Sequence, residues 1–203
     1  MRSASDFACE RELQRVDHIC AVPVALRGDE VEVFSGHRVV AWTDGACPNN
    51  DICFLRRAGC GVFYNVGHVR NRSYPLPGPE QTNQRAELHA CIAALEAEPR
   101  AIELRSDSKY VVDGVMRHAR WRLAGWRGDN ADLWAIMSAI LSERGTDVRV
   151  VKVKGHATDV DVQRGRVDPI DKFGNDAADE LAVAARTAMY IVLRAPLRCQ
   201  LDA

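Results

Sequence analysis

The apolar pattern of this chain changes its period partway along, and that change constrains the fold more than any other feature. Before it, three β-prone runs follow one another, near 38–43, at 59–66 ("GCGVFYNV") and at 68–76 ("HVRNRSYPL"). Runs of this kind separated by turn residues predict an antiparallel meander of three strands. After the loop "PLPGPE", apolar residues recur at helical spacing and alternate with two further β-prone runs.

The later elements predict an α/β protein. Thr82 or Asn83 can cap the first helix, which Pro99 ends, and Asn175 is the predicted cap of the last helix. The predicted order is β-β-β-α-β-α-α-β-α. Strands joined through helices are normally parallel and covered by those helices, so the sheet should be mixed, with its later strands parallel.

Length and composition favour one soluble domain. The chain has 203 residues, of which 47% are hydrophobic and 27% charged, with a formal net charge of −1. No apolar run approaches the roughly 20 residues that span a bilayer, and the N-terminus lacks the apolar core of a signal peptide. We expect residues 1–37 to be an extension that either adds a strand or stays loosely ordered, 38–190 the domain and 191–203 a tail.

The cysteines point to a reducing environment. There are seven, an odd number, and no two are spaced Cys-x-x-Cys. This pattern disfavours a disulfide framework and a structural zinc site. We expect free thiols and an intracellular location, with nucleus and cytoplasm both open.

Four acids occupy strand ends and helix starts. Asp44 closes the first predicted strand, Glu87 lies in the first turns of the first helix, Asp107 follows the fourth strand, and Asp176 opens the last helix. Each has an ordinary explanation, as a turn former or as a charge that complements a helix dipole. A buried cluster of carboxylates would instead need a cation, and hard oxygen ligands favour Mg²⁺ or Mn²⁺.

With their neighbours, these acids carry a resemblance. The motifs "TDGAC", "QTNQRAELHA", "RSDSKYVVDG", "VKGHAT" and "GNDAADELA" occur in an order that resembles the ribonuclease H family, over about residues 38–190. The resemblance implies a ribonuclease H-like fold, which is a five-stranded mixed sheet with helices on both faces. It also implies an endonuclease that hydrolyses the RNA strand of RNA–DNA hybrids.

The resemblance assigns roles residue by residue. Asp44, Glu87, Asp107 and Asp176 match the metal-binding acids, and His156 matches a histidine thought to assist proton movement or product release. Two Mg²⁺ ions, or Mn²⁺ as a substitute, would activate the attacking water and stabilise the leaving 3′ oxygen, leaving a 5′-phosphate and a 3′-hydroxyl. For His156 alone, a purely structural role is the alternative.

Hybrid recognition falls on a second set of residues. Asn50, Asn83 and Gln84 match positions that touch the minor groove, where only the RNA strand displays 2′-hydroxyls. Basic and aromatic side chains after them would hold the DNA strand. The whole expected hybrid-binding set is Asn50, Thr82, Asn83, Gln84, Tyr110, Arg120, Trp121, Arg122 and Trp126.

Three departures from the family pattern accompany the match. The stretch between Trp126 and Leu133 is too short for a full basic protrusion, and Glu80 stands where some relatives have a phosphate-binding arginine. The segment 157–174 is longer than usual, and we predict that it modulates turnover without building the metal site.

Three functional readings follow from these residues. The leading one is a monomeric hybrid-specific ribonuclease H, either standalone or joined to a reverse transcriptase or another upstream domain. The alternatives are a non-catalytic nucleic-acid-binding scaffold with the same fold, and a different nuclease or transposase of the superfamily. The complete set of acids argues against the scaffold.

Overall fold

The computed structural model describes residues 23–25, 31–48 and 56–194. These residues form one sheet with helices packed against it. Its seven strands are β1 (Pro23–Ala25), β2 (Val31–Ser35), β3 (Arg38–Ala46), β4 (Gly59–Phe63), β5 (Arg72–Pro75), β6 (Ile102–Ser106) and β7 (Val148–Lys152). The last five of these are the predicted strands, so the predicted α/β fold with a mixed sheet is confirmed.

Strand β3 lies at the centre of this sheet. On one side it pairs antiparallel with β4, which pairs antiparallel with β5, as the meander predicts. On the other side β6 pairs with β3 and β7 with β6, both parallel. The first residues of β3 also pair with β2, and β2 pairs with β1, both antiparallel. Part of the segment predicted as an extension therefore joins the sheet.

Helices cover both faces of the sheet. They are α1 (Asn83–Ala97), α2 (Lys109–Leu123), α3 (Ala131–Arg144), α4 (Asp159–Gln163) and α5 (Pro169–Arg194). Thr82 is the N-cap of α1, because its side chain accepts a hydrogen bond from the Arg85 amide. Asn83, the other candidate cap, is the first residue of that helix.

The two faces of β3 build two cores. Val39 and Ala41 belong to the larger core, which includes the buried apolar residues of α1 and α3. Val40 and Trp42 belong to a second core with Ala178 of α5. Because side chains alternate along a strand, even-numbered positions of β3 face α5. This alternation decides where the acid at position 44 points.

The last helix begins earlier than the sequence predicts. Pro169 is its first residue, and the Asp168 side chain accepts a hydrogen bond from the Ile170 amide. Proline is well suited to the first helical position, since its missing N–H would have no partner there. Asn175 therefore lies inside α5 and is not its cap, which corrects the prediction. Helix α5 continues to Arg194, past the tail boundary predicted at residue 190.

The segment 157–174 is more ordered than a simple loop. Thr158 and Asp161 form a capping box at the start of α4, and Lys154 lies 2.7 Å from the Asp161 carboxylate. The last six residues of the segment belong to the first turns of α5. Within the described part of the chain, no helix has the length and apolar character needed to cross a membrane.

Candidate active site

Three of the predicted acids meet at one edge of the sheet. Parallel pairing of β3 with β6 ends at Thr43 and Ser106, so Asp44 and Asp107 are the next residues of adjacent strands. Glu87 reaches them from the first turns of α1. One carboxylate oxygen from each of these acids lies within 4.8 Å of one from each of the others. The structure therefore brings Asp44, Glu87 and Asp107 together.

The sequence predicts that β3 ends at Asp44, but the strand is longer. It continues to Ala46, and Asp44 pairs with Gly61 of β4. Gly45 allows α1 to approach at this point, because a Cβ there would lie 2.3 Å from the Glu87 backbone nitrogen. Glycine after Asp44 therefore serves helix packing, not the turn that an Asp-Gly pair usually marks.

The cluster is electrostatically unfavourable on its own. Burial and then the charge of Asp107 raise the pKa of Asp44 to about 8. Burial, with the charges of Asp44 and Asp107, also raises the pKa of Glu87 well above its ordinary value. Several carboxylates do not share a buried site unless protons or cations offset their repulsion.

An unused acceptor fits the same reading. Glu87 Oε1 accepts a hydrogen bond from Asn83 Nδ2 at 3.3 Å, while Glu87 Oε2 is buried and has no hydrogen-bond partner among the residues that the structure describes. Buried carboxylate oxygens rarely stay unpaired in native proteins. An all-oxygen cluster with a spare lone pair suits a hard divalent cation such as Mg²⁺ or Mn²⁺. The residues present therefore fit a metal.

The fourth predicted acid is not in this group. Asp176 lies outside the 4.8 Å cluster, and its Oδ2 is 2.7 Å from Lys172 Nζ. Asp179, which the sequence reasoning missed, lies outside that cluster too but beside Asp44. It is close enough to raise the pKa of Asp44 through a side-chain hydrogen bond and through its charge, after burial and Asp107. The assignment of Asp176 to the metal site therefore stays a prediction from the family resemblance.

Asp107 is held between two elements. Asn175 Nδ2 on α5 donates to Asp107 Oδ2 at 3.4 Å. The backbone of Gly155, after β7, lies against the same oxygen, since a Cβ there would be 2.2 Å from Oδ2. Helix α5 also packs closely against β4. A Cβ on Gly61 would lie 2.1 Å from the Ala178 carbonyl oxygen.

His156 lies in the turn after β7. Its side chain is exposed, and its φ is 48°, in the left-handed region that few residues other than glycine adopt. His156 directly follows Gly155, whose backbone contacts Asp107 of the acid cluster. Its exposure leaves the imidazole accessible to solvent and to a substrate.

The residues expected at the minor groove lie around the start of α1. The Asn83 side chain accepts a hydrogen bond from the Cys47 amide at 3.0 Å and also donates to Glu87. It thereby connects the end of β3 to the acid cluster. Gln84 is exposed beside it, and Thr82 caps the helix. Asn50 lies outside the described residues.

The aromatic residues expected to hold the DNA strand form one group. Tyr110, Trp121 and Trp126 line a cavity of about 280 Å³ together with Gln84 and Trp134. The Tyr110 hydroxyl accepts a hydrogen bond from Trp134 Nε1 at 2.7 Å, which fixes its position. Arg120 and Arg122 are exposed on α2. This brings Gln84, at the start of α1, beside the aromatic residues.

A neighbouring cavity is lined by Glu80, which stands where some relatives have a phosphate-binding arginine. Its volume is about 830 Å³, and Glu80, Thr82, Asp129 and Asp132 are among the residues that line it. Arg85 lies alongside but is paired, since its guanidinium lies 3.4 Å from Glu80 and donates to both carboxylate oxygens of Asp132. Glu80 therefore contributes negative charge to this cavity, whose lining also includes Arg56.

Comparisons with known proteins agree with this geometry. The family model for RNase H matches residues 36–187. The "Ribonuclease H" of Novosphingobium aromaticivorans is 35% identical over 150 residues, which cover 69% of this chain and 96% of that protein. The rat "Ribonuclease H1" is 33% identical over 169 residues, which cover 79% of this chain.

The chain spans only about half the length of some of these relatives. The matched region covers 54% of the rat protein and 58% of the Schizosaccharomyces pombe "Ribonuclease H". Among solved structures, the fold is similar to the RNase H domain described in "Solution structure of PFV RNase H domain". That match has a TM-score of 0.57 at 24% identity and covers 73% of this chain and 94% of that domain. Together with the family match, these relatives show that the chain belongs to the ribonuclease H family.

Proposed function

We propose that this protein hydrolyses the RNA strand of RNA–DNA hybrids in a reaction that requires divalent metal. The observation that carries the proposal is the buried convergence of Asp44, Glu87 and Asp107 in a member of the ribonuclease H family. The relatives named Ribonuclease H supply the activity class. The retained acids also argue against a non-catalytic scaffold, which would have no use for a self-repelling carboxylate cluster.

We propose that Asp44, Glu87, Asp107 and Asp179 hold two Mg²⁺ ions, with Mn²⁺ as a substitute. Bound ions of this kind lower the pKa of an attacking water and stabilise the leaving oxygen of an in-line displacement. The chain's own acids supply the negative charge that attracts the cations, and the orientation of their carboxylates sets where the cations bind. Because β3, β6 and α1 are packed against one another, this orientation is fixed before substrate arrives.

His156 is proposed to move a proton at the leaving or attacking oxygen, or to assist product release. Its exposed imidazole, in the turn beside Asp107, supports this role. The Asn83 and Gln84 side chains are proposed to contact the minor groove. The aromatic group is proposed to hold the DNA strand, with Arg120 and Arg122 near its phosphates.

Hydrolysis of matched duplexes tests the proposal. An RNA–DNA hybrid, a double-stranded RNA and a double-stranded DNA of one sequence are incubated with the protein in Mg²⁺, in Mn²⁺ or in EDTA. Only the RNA strand of the hybrid should be cut, and only with metal. The upstream fragment should be extendable by a polymerase, because it ends in a 3′-hydroxyl. Folded protein that cuts no hybrid in either metal would refute the proposal and favour the scaffold.

A further inference from the structure

Asn175 has one satisfied and one unsatisfied end. The residue is buried, with 3% of its surface exposed, and its Nδ2 donates to Asp107 Oδ2. Its Oδ1 is buried too, and no hydrogen-bond partner for it exists among the described residues. The amide therefore uses its donor on an acid of the cluster and leaves its acceptor unpaired.

Stability alone does not explain an asparagine at this position. A buried carbonyl without a partner is unfavourable, and asparagine is a poor helix former. An apolar side chain of similar size would avoid both costs inside α5. Residues that lower stability in this way are typically found where they serve function.

The geometry places Asn175 where it controls one metal-binding acid. Asp107 Oδ2 has Gly155 backbone on one side and receives the Asn175 amide as donor. Asn175 and Asp179 are four residues apart on α5, so they share a helix face. One face of α5 thus contacts both Asp107 and Asp44.

We infer that Asn175 is a positioning residue, which fixes the Asp107 carboxylate in the orientation that binds divalent metal. This inference rests on the proposed function, because it concerns the same acids. A hydrogen bond to a metal-ligating carboxylate restricts its rotation. Loss of such an outer partner typically weakens metal affinity or activity roughly 10- to 100-fold.

The test measures Mn²⁺ binding by titration calorimetry, without substrate, and thermal unfolding in EDTA. Asn175→Leu removes the donor and the unpaired carbonyl together. We expect its Mn²⁺ affinity to fall roughly 10- to 100-fold while its unfolding temperature stays equal or rises. Asn175→Ala should show the same loss of affinity and provides a second variant if leucine does not pack.

Asn71→Ala is the matched control. Asn71 uses both ends of its amide, accepting from the Tyr64 amide and donating to the Asn65 carbonyl in the β4–β5 hairpin. Its loss should lower the unfolding temperature and leave Mn²⁺ affinity unchanged.

Unchanged Mn²⁺ affinity in folded Asn175→Leu and Asn175→Ala would overturn the inference and leave the proposed function standing. Wild-type protein that binds no Mn²⁺ would overturn the proposed function itself. A drop in stability with normal metal affinity would assign Asn175 to folding alone.

Discussion

The position of Asp44 on β3 determines the electrostatic environment of its carboxyl. Alternation along β3 turns Val40, Trp42 and Asp44 toward α5, and the parallel pairing with β6 ends one residue before Asp44. The carboxyl is therefore buried against a helix and placed beside Asp107 at once. Burial and that neighbour together raise the pKa of Asp44 to about 8.

Metal-free protein should lose stability as the pH rises, because of this carboxyl. The folded pKa of about 8 exceeds the ordinary value of 3.8, so the folded state binds more protons between these pH values. Stability from protonated Asp44 is complete below pH 3.8 and declines toward pH 8. In EDTA at pH 8, Asp44→Asn should unfold at least about 2 °C above wild type.

Thermal unfolding in EDTA from pH 4 to 8 measures this difference, which should shrink toward the acidic end. Asp129→Asn, at an exposed position, is the control and should follow the wild type. A constant gap between Asp44→Asn and wild type would show that the substitution acts through packing and not through the charge.

Asp179 and Asp176 form a matched pair for the fourth acid. Asp179 lies beside Asp44, whereas Asp176 is paired with Lys172 outside the cluster. We expect Asp179→Asn to lower hybrid cleavage by about 100-fold or more, since it removes a charge from the proposed metal site. Asp176→Asn should change the rate only a few-fold.

Cleavage rates at saturating Mg²⁺ distinguish the two variants, after circular dichroism has shown that both are folded. If Asp176→Asn abolished cleavage and Asp179→Asn did not, the assignment from the sequence would be right and the one from the structure wrong.

The sequence predicts that Asp44, Glu87 and Asp107 lie together, as they do in the structure, but it does not distinguish Asp176 from Asp179 on α5. A small error in the predicted end of a strand does not misplace these acids. Asp44 and Asp107 directly follow the parallel pairing of β3 with β6, whether or not β3 continues. On a helix, three residues separate a side chain that faces the sheet from one that faces Lys172. The small buried residues Ala178 and Ala182 mark the sheet-facing side of α5, and Asp179 adjoins them. The four-residue spacing of these alanines is the sequence signal that identifies the sheet-facing side of the helix.

At the scale of elements, α5 is positioned by its first turns. Asp171 Oδ1 accepts hydrogen bonds from Trp42 Nε1 at 3.2 Å and from Arg105 at 2.7 Å. The Arg105 guanidinium also lies over the Trp42 ring, 5.5 Å from its centroid. Asp171 belongs to the segment 157–174, which is longer than is usual in the family. Shortening of that segment should therefore stop before Pro169 if the helix is to stay in place.

Asp171→Ala should destabilise the protein by roughly 1–3 kcal/mol, because the nearly buried Arg105 loses an acceptor. Urea unfolding monitored by tryptophan fluorescence measures the loss. Asp159→Ala is the control, since that side chain is 88% exposed and lies 3.7 Å from Lys172 Nζ. Equal stability of the two variants would mean that α5 does not depend on this anchor.

At the scale of the whole molecule, an ion network ties the N-terminal strands to the rest. Glu32 of β2 accepts two hydrogen bonds from Arg100, which also binds Glu98 at the end of α1. His68 and Arg70, in the β4–β5 hairpin, contact the same two acids. Partners 68 residues apart cannot be paired from periodicity, which detects only neighbours within an element. For this reason the sequence predicts no more than an extension for residues 1–37.

Glu32→Gln should weaken the fold and spare the active site. Hydrogen bonding to Arg100 lowers the pKa of Glu32 below its ordinary 4.5, despite the opposing effect of burial. The stabilisation is therefore complete above pH 4.5 and is lost as the pH falls through the folded pKa, opposite in sign to Asp44.

At pH 7 we expect the unfolding free energy of Glu32→Gln to drop by about 1–3 kcal/mol, a gap that should narrow in acid. Urea unfolding at pH 7 and below pH 4.5 measures it, with exposed Glu143→Gln as the control. Mn²⁺ affinity should match the wild type in both variants. The ion network lies on β2, the end of α1 and the β4–β5 hairpin, away from the cluster of Asp44, Glu87 and Asp107. Weakened metal binding in folded Glu32→Gln would show instead that the N-terminal strands help to shape the acid cluster.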